Sequence, residues 1–224
     1  MKGLDTAYML EIAPVILSYV PLTLFMAVIA MIGALVIAAV MATVRVLHLP
    51  VLDWLVALYI SFFRGTPLLV QLFLFYFGGP QLISSLKSVT GMQAAIFGLM
   101  LHFSAYMAES IRGAILGVDR SQWEAAESLG MTRSRMLRRI ILPQAARIAA
   151  PTLLNYFIDL IKSTSLAFTL GVTEMMGAAQ KEAAGSFMYL EAFLVVALIY
   201  WAIVEVLSFL QRRLERRMQK AFVR

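Results

Sequence analysis

The chain has 224 residues, of which 61% are hydrophobic, and its formal net charge is +6. Soluble domains are only about 45–50% apolar, so this composition excludes an ordinary soluble fold. The basic residues stand between apolar runs rather than in one patch, which favours a bilayer with cationic flanks over nucleic-acid binding. The sequence contains no cysteine, so it offers neither a disulfide framework nor a thiolate metal site.

Five apolar stretches are each compatible with a membrane-spanning helix, which needs about 20 residues. In chain order they lie near residues 15–43, around 67–77, and near 93–116, 149–171 and 187–210. The first run is too long for the core of a signal peptide, so we expect it to be a retained span. No repeat or linker marks a second domain, and the sequence predicts a single domain over residues 1–224.

Lysine and arginine are distributed unevenly between the predicted loops. If the N-terminus lies outside, the outer side receives only Lys2, Lys87 and Lys181, and Lys162 falls within a span. The inner side then receives Arg45, Arg64, Arg112, Arg120, Arg133, Arg135, Arg138, Arg139, Arg147, Arg212, Arg213, Arg216, Arg217, Lys220 and Arg224. Because cytoplasmic loops carry excess positive charge, we predict an all-α polytopic membrane protein with five transmembrane helices, the N-terminus outside and the C-terminus cytoplasmic.

The apolar run 51–63 is too short to cross a bilayer alone. A separate crossing would also turn the arginines of the following loops outward, against the charge rule. We therefore expect this run to be an in-plane segment or the lower part of the second span, bent at residues 64–67 (RGTP).

A charged segment, residues 121–145, interrupts the apolar sequence on the predicted cytoplasmic side. Ser121 and Glu124 have the spacing of a capping box, which begins a helix by satisfying its free amide groups. Gly130 can take the left-handed conformation that ends a helix. The predicted helix has about nine residues, or about 13 Å, and a helix that short needs an external contact to be stable.

The same segment predicts a second helix and a docking surface. Thr132 can cap a helix over residues 133–141, which Pro143 terminates or kinks as the next span begins. Ala125 and Ala126 give the first helix a low-relief surface on which a groove of another protein could close. The arginines also suit a loop that lies on anionic lipid, so the residues alone leave protein docking and lipid binding both open.

The spacing within this segment resembles a known family motif. Glu124–Ala125–Ala126, followed by Gly130 and then Ile140–Ile141–Leu142–Pro143, is similar to the EAA loop of ABC importer permeases. Three further stretches resemble the polar amino-acid uptake branch of that family: FRGTPLLVQ at 63–71, AYMAE at 105–109 and KSTSL at 162–166. The resemblance covers residues 15–217.

The resemblance implies a type I importer fold with a cytoplasmic coupling helix between spans three and four. The residues carried over as its contact with a cytoplasmic ATPase subunit are Ser121, Glu124, Ala125, Ala126 and Gly130. The sequence has no phosphate-binding G-x-x-x-x-G-K-[ST] motif, so we expect no enzyme activity and no cofactor here, with ATP and magnesium on the ATPase partner. The family further implies a second permease copy or a close paralogue, an extracellular or periplasmic substrate-binding protein, and the bacterial inner membrane.

Polar residues within predicted spans are costly in a bilayer and are therefore candidates for function. Glu109 in span three shares a helix face with His102, and it can instead form an ion pair with Arg112 one turn further on. His102 fits a hydrogen-bonded packing residue better than a ligand, and two histidines make a metal site unexpected.

Span four contains the largest group of candidates for a substrate path: Asn155, Asp159, Lys162, Ser163, Thr164 and Ser165. Lys162 lies about 12 residues, or about 18 Å, from the predicted start of the span, close to the bilayer midplane. Asp159 can pair with Lys162, either as a structural contact or as part of the path. The hydroxyl groups can bind a small zwitterion without presenting a net charge.

The resemblance also bears on the substrate. Similar permeases often carry an acid where Ser163 stands, and its absence here implies that the substrate is a neutral polar amino acid, cystine among them. The gate or pocket would be lined by span four of two copies. The predicted function is the permease subunit of an ATP-driven importer of polar amino acids. The alternatives are a secondary transporter, which normally shows an inverted repeat, and a non-transporting membrane scaffold that uses the same loop to bind a partner.

Overall fold

The computed structural model describes residues 4–220 and, in the last helix, the side chains up to Arg216. Every regular element within this range is helical, which confirms the predicted all-α fold. Lys2 and Arg224, which contributed to the predicted charge asymmetry, lie outside the described residues, as do the side chains of Arg217 and Lys220.

The helices run along the chain with short connections. They are α1 (Thr6–Leu17), α2 (Val20–Leu47), α3 (Pro50–Gly65), α4 (Leu68–Phe73), α5 (Gly79–Leu82), α6 (Gly91–Leu116), α7 (Arg120–Ser128), α8 (Arg133–Met136), α9 (Leu142–Ser163), α10 (Met175–Ser186) and α11 (Tyr189–Lys220). The π-helical turns Leu74–Gly78 and Leu137–Ile141 join α4 to α5 and α8 to α9, and 3-10 turns occupy Ser84–Ser88 and Thr164–Leu170.

Three of these helices are long and apolar enough to cross a bilayer: α2, α6 and the Tyr189–Arg216 part of α11. The bent pair Pro50–Gly65 and Leu68–Leu82 adds a fourth if it counts as one span. The helix α9, in the place of the fourth predicted span, is not among them, because polar and charged residues interrupt its apolar sequence. Residues 4–220 therefore contain three or four candidate spans, and the five-span topology with its N-terminus outside stays a prediction.

The first span begins later than predicted, at Val20, because the chain breaks after α1. The hydroxyl of Ser18 donates to the carbonyl of Val15 at 2.6 Å in this break. Pro21 then stands in the first turn of α2, where its missing N–H leaves no helical bond unmade. The separate helix α1 packs against α10 and α11.

The predicted bend after α3 is confirmed, since α3 and Leu68–Leu82 meet at 110°. Thr66 is extended (φ −121°, ψ 148°), which is the conformation that a following proline favours. The buried side chain of Gln71 holds the corner, because its Nε2 donates to the carbonyls of Phe63 at 3.0 Å and Thr66 at 3.1 Å. The last carbonyls of a helix have no N–H partner within the helix, and Gln71 supplies donors to the two at the end of α3.

The centre of the core is the contact between α2 and α6. Fully buried side chains that recur every three or four residues along one face of α2 are Ala27, Ala30, Ala34 and Ala38. Small residues let helices approach closely, as at Gly33, where an added Cβ would overlap Met100 of α6. The other extensive contact of α6 is with α9, so α6 packs both against α2 and against the helix that carries most of the candidate substrate path.

Candidate coupling loop and substrate path

The helix α7 begins through a different residue from the one predicted. Asp119 is its N-cap, a role that Asp commonly fills, and the carboxylate accepts a hydrogen bond from the Ser121 N–H at 2.8 Å. Hydrogen bonds from Ser121 hold the pKa of this exposed carboxyl below its usual value. The predicted capping box is wrong, because Ser121 lies inside the helix and Glu124 pairs with Arg120 at 3.0 Å instead.

Gly130 follows the end of α7 in the left-handed conformation, as predicted, with φ of +68°. Its N–H donates to Glu127 O at 2.9 Å, and the N–H of Met131 donates to Ala126 O at 3.1 Å. These bonds satisfy carbonyls that the last turn of a helix leaves free. In the described structure no atom beyond the chain neighbours lies within 4 Å of an added Cβ, so the backbone conformation rather than lack of space calls for glycine.

The two alanines of the predicted docking surface have different environments. Ala125 is exposed, but Ala126 is 1% exposed and packs in a cluster with residues of α6, α8 and α9. A helix turns by about 100° per residue, so adjacent side chains cannot share one narrow face. The prediction of a shared docking surface is therefore wrong for Ala126. The outward side instead carries Glu124, Ala125 and, just after the helix, the 80% exposed Leu129.

The connection from α7 to α9 is more continuous than predicted. Thr132 precedes α8 as its N-cap residue, although its side chain makes no capping hydrogen bond. The helix then passes through the π turn Leu137–Ile141 directly into α9. Pro143 neither terminates nor separates the two helices: it stands in the first turn of α9, a position that suits proline.

The polar candidates on α6 form local contacts. Oε2 of Glu109 lies 2.8 Å from Nη2 of Arg112, which confirms the structural ion pair. Nδ1 of His102 lies 3.0 Å from Oε1 of the buried Gln71, as expected for a hydrogen-bonded packing residue. Among the described hydrogen bonds and ion pairs, none brings Glu109 together with the polar residues of α9.

The helix α9 carries polar side chains along one face. Asn155, Asp159 and Lys162 follow one another at intervals of four and three residues, which places them one above another. Nζ of Lys162 lies 2.6 Å from Oδ1 of Asp159, which confirms the predicted pair, and about half of each side chain is exposed. Oδ1 of Asn155 accepts a hydrogen bond from Nε2 of Gln211 on α11 at 2.9 Å.

Lys162 lies further along its helix than predicted. Since α9 begins at Leu142 rather than near residue 149, Lys162 is about 20 residues, or about 30 Å, from the helix start. The charged turns before residue 149 belong to the same helix, so the helix is longer than the predicted span. The depth of Lys162 in the bilayer, about 18 Å from the start of the span, stays a prediction.

The three hydroxyl groups after Lys162 donate to carbonyls of their own helix. The bonds run from Ser163 Oγ to Asp159 O (2.8 Å), from Thr164 Oγ1 to Ile161 O (2.6 Å) and from Ser165 Oγ to Lys162 O (2.7 Å). Thr164 is fully buried at the start of the 3-10 turn, so the prediction that it lines a path is wrong. Ser163 and Ser165 remain partly accessible.

A cavity of about 310 Å³ opens beside the end of α9. Its lining includes Lys162 and Ser165 from the predicted set, and Met176, Phe193 and Tyr200, which sequence reasoning missed. Tyr200 stands in an apolar run of α11, and a single tyrosine in such a run is too common to indicate a site. Only the folded chain shows that it belongs beside Lys162.

Residues 34–220 match the family of binding-protein-dependent transport system inner membrane components. The chain belongs to this family. As an ABC importer permease, it works with an ATPase and a substrate-binding protein, and it is an inner membrane component rather than an enzyme. The ATPase activity lies in a separate subunit, and the resemblance seen in the EAA loop is thereby confirmed.

Relatives along the whole chain are amino-acid permeases. This permease is 56% identical to the probable amino-acid ABC transporter permease protein PatM of Vibrio harveyi, over 99% of this chain and 100% of that protein. It is 47% identical to the probable amino-acid permease protein YxeN of Bacillus subtilis, over 99% of each chain. The crystal structure of an amino acid ABC transporter with histidines contains a chain that superposes with a TM-score of 0.89 at 30% identity, covering 96% of this permease and 100% of that chain.

Relatives named for a single substrate differ in that substrate. The L-cystine permease TcyL and the arginine permease ArtQ of Bacillus subtilis are 34% and 32% identical to this permease, and the glutamine permease GlnP of Escherichia coli is 36% identical. Each alignment covers at least 92% of both proteins. Sequence identity to these relatives therefore does not indicate which amino acid this permease carries.

Proposed function

We propose that this permease imports a neutral polar amino acid, with cystine as the leading candidate, and that α7 transmits closure of the ATPase to α9. Two copies, or one copy and a close paralogue, form the path in a bacterial inner membrane, and a periplasmic or extracellular binding protein delivers the substrate. Residues 1–224 act as one domain. ATP and magnesium belong to the ATPase; among the residues that the structure describes, no group of three His, Cys, Asp or Glu side chains could hold a metal ion.

The observation that carries this proposal is the exposed polar face of α9. Asn155 and Lys162 are exposed there, and Asp159 between them is half-exposed. A helix that faced lipid would present apolar side chains, as α2 does with Ile32 and Val36. The polar face of α9 therefore suits a water-filled path or a second permease copy better than lipid.

The charge on this face favours a neutral substrate. Asp159 and Lys162 pair with each other at 2.6 Å, so the face presents little net charge. Ser163 stands where similar permeases often carry an acid, which leaves a cationic side chain without an unpaired carboxylate partner. An amino acid that is neutral overall needs no such partner. Cystine is one such substrate, and it is the named substrate of one of the relatives.

The coupling role rests on the two sides of α7. The inner side is fixed, because Ala126 is buried in the cluster that also contains Ala145 and Ala149 of α9. The outer side presents Glu124, Ala125 and Leu129 for contact with another protein. A helix of nine residues is marginal alone, and here its anchoring to α9 gives a partner a direct mechanical connection to the proposed path.

Uptake by reconstituted vesicles tests this proposal. Vesicles that contain the permease, its ATPase and its binding protein should accumulate labelled cystine when ATP is supplied, and an excess of arginine should not compete. Vesicles without the ATPase are the control. Uptake in that control would contradict the dependence on the ATPase, absence of cystine uptake in the complete system would contradict cystine as the substrate, and strong competition by arginine would contradict the neutral substrate.

A further inference from the structure

Glu174 is an acidic side chain with no exposure to solvent. It precedes α10 as the N-cap residue, and its Oε1 accepts the N–H of Gly177 at 2.9 Å. Its second oxygen, Oε2, accepts a hydrogen bond from the hydroxyl of Tyr200 on α11 at 3.0 Å. A carboxylate is costly to bury unless it is hydrogen-bonded, so these two bonds are what allows Glu174 to be buried here.

Other helices hold the chain around Glu174 in place. The N–H of Met175 donates to Oγ1 of the fully buried Thr23 on α2 at 3.3 Å. Gly91 at the start of α6 approaches the carbonyl of Leu170 so closely that an added Cβ would overlap it. The segment between the 3-10 turn and α10 is therefore fixed against α2, α6 and α11 together.

The residues fixed in this way form part of the 310 Å³ cavity that Lys162 and Ser165 line. Met176, two residues after Glu174, contributes to the lining, and so does Tyr200. A tyrosine ring is held by two side-chain torsions, and a hydrogen bond at its hydroxyl restricts both of them. Glu174 thus bonds to one side chain of the cavity lining, Tyr200, and caps the helix whose first turn carries another, Met176.

We propose that Glu174 is a positioning residue for the substrate path, which it shapes by holding Tyr200 and the start of α10 beside Lys162. This inference rests on the proposed path along α9. Loss of the Glu174–Tyr200 bond leaves the coupling loop intact but lets the cavity wall move. The variants should therefore hydrolyse ATP in response to the binding protein while they move less amino acid for each ATP.

The test uses Tyr200→Phe, which removes the hydroxyl, and Glu174→Gln, which keeps the shape of the side chain. Amino acid moved and ATP hydrolysed are measured in the same vesicles, with the permease, ATPase and binding protein present. The ratio of amino acid to ATP should fall about threefold to tenfold in Tyr200→Phe, the range that loss of one hydrogen bond gives. It should fall less in Glu174→Gln, whose side-chain amide can still bond to the Tyr200 hydroxyl. A merely structural role would lower both rates together and leave the ratio unchanged.

Tyr8→Phe is the matched control. The Tyr8 hydroxyl lies 2.7 Å from Oγ of Ser186 and 3.2 Å from the carbonyl of Glu182, at the opposite end of α10 from Met176. This variant loosens α10 without touching the cavity, so its ratio should equal that of the wild type. An unchanged ratio in Tyr200→Phe, or an equal fall in Tyr8→Phe, overturns the positioning role. Wild-type vesicles that show no ATP-dependent uptake contradict the proposed function itself.

Discussion

Oε1 of Gln71 lies 3.0 Å from Nδ1 of His102 and joins the bend after α3 to the middle of α6. The other end of the same amide donates to the carbonyls of Phe63 and Thr66, so a side chain with 1% exposure uses both its donor and its acceptor. In an apolar environment, carbonyls without a donor are costly. Gln71 therefore lets the chain turn by 110° and keeps the turn attached to the core.

Replacing Gln71 with leucine should destabilise this corner by about 1–3 kcal/mol for each group left without a partner. The expected result is a lower unfolding midpoint of the purified permease in detergent. Gln81→Leu is the matched control, because the Gln81 amide is exposed and donates to the carbonyl of Phe77 at 3.2 Å. Equal losses of stability in the two variants would show that Gln71 has no special structural role.

Gly130→Val should uncouple ATP hydrolysis from uptake. Valine in the left-handed conformation costs about 1–3 kcal/mol, so the end of α7 would change shape rather than accept it. Asparagine tolerates this conformation, and Gly130→Asn should therefore keep most of the uptake. Both variants are compared at equal amounts of permease in vesicles with the ATPase. Normal uptake by Gly130→Val would remove this turn from the coupling mechanism.

Ser163→Asp should change the choice of substrate. The Ser163 hydroxyl bonds to the carbonyl of Asp159, and the side chain is half-buried near the exposed pair of Asp159 and Lys162. An acid at this position adds an unpaired negative charge, so uptake of the neutral substrate should fall and competition by arginine and lysine should rise. Ser165→Asp introduces the same charge two residues further on, on the cavity lining, and is the variant with which Ser163→Asp is compared. Unchanged competition in a well-expressed Ser163→Asp permease would place Ser163 outside the path.

Accessibility of introduced cysteines should report the topology. Ser121, Ser134 and Ser88 are all exposed, and the natural sequence has no cysteine to react in their place. In intact cells an impermeant thiol reagent should label Ser88→Cys and should label Ser121→Cys and Ser134→Cys only after the membrane is opened. Labelling of position 134 in intact cells would exclude the orientation with the N-terminus outside.

The sequence was sufficient for the features that depend on local chemistry. Long apolar runs predicted α2, α6 and α11, and the RGTP stretch at residues 64–67 predicted the bend. The start of α9 was missed because Pro143 was expected to end or kink the preceding helix, whereas the π turn Leu137–Ile141 carries that helix into α9 with Pro143 in its first turn. The break before α2 was missed because the apolar character continues through it.

Only those features of the candidate site that depend on the spacing of residues along the chain could be predicted from the sequence. The motif placed α7 correctly, but the burial of Ala126 depends on where α9 lies, and that of Thr164 depends on the tightening of the helix after Ser163. The pairing of Glu174 with Tyr200 joins residues 26 positions apart on different helices. Such contacts follow from the packing of the whole bundle and have no signature in either local sequence.

The buried cluster around Ala126 joins the proposed coupling loop to one end of the long helix α9. Ala126 of α7 and Ala145 of α9 share this cluster, so under the proposed coupling a shift of α7 would be passed to the first turns of α9. Lys162 stands about 30 Å further along the same helix, and a tilt of about 10° at its base displaces that end by about 5 Å. If α7 transmits closure of the ATPase as proposed, a small rotation at one surface of the permease would become, at the cavity, a displacement comparable with the width of an amino-acid side chain.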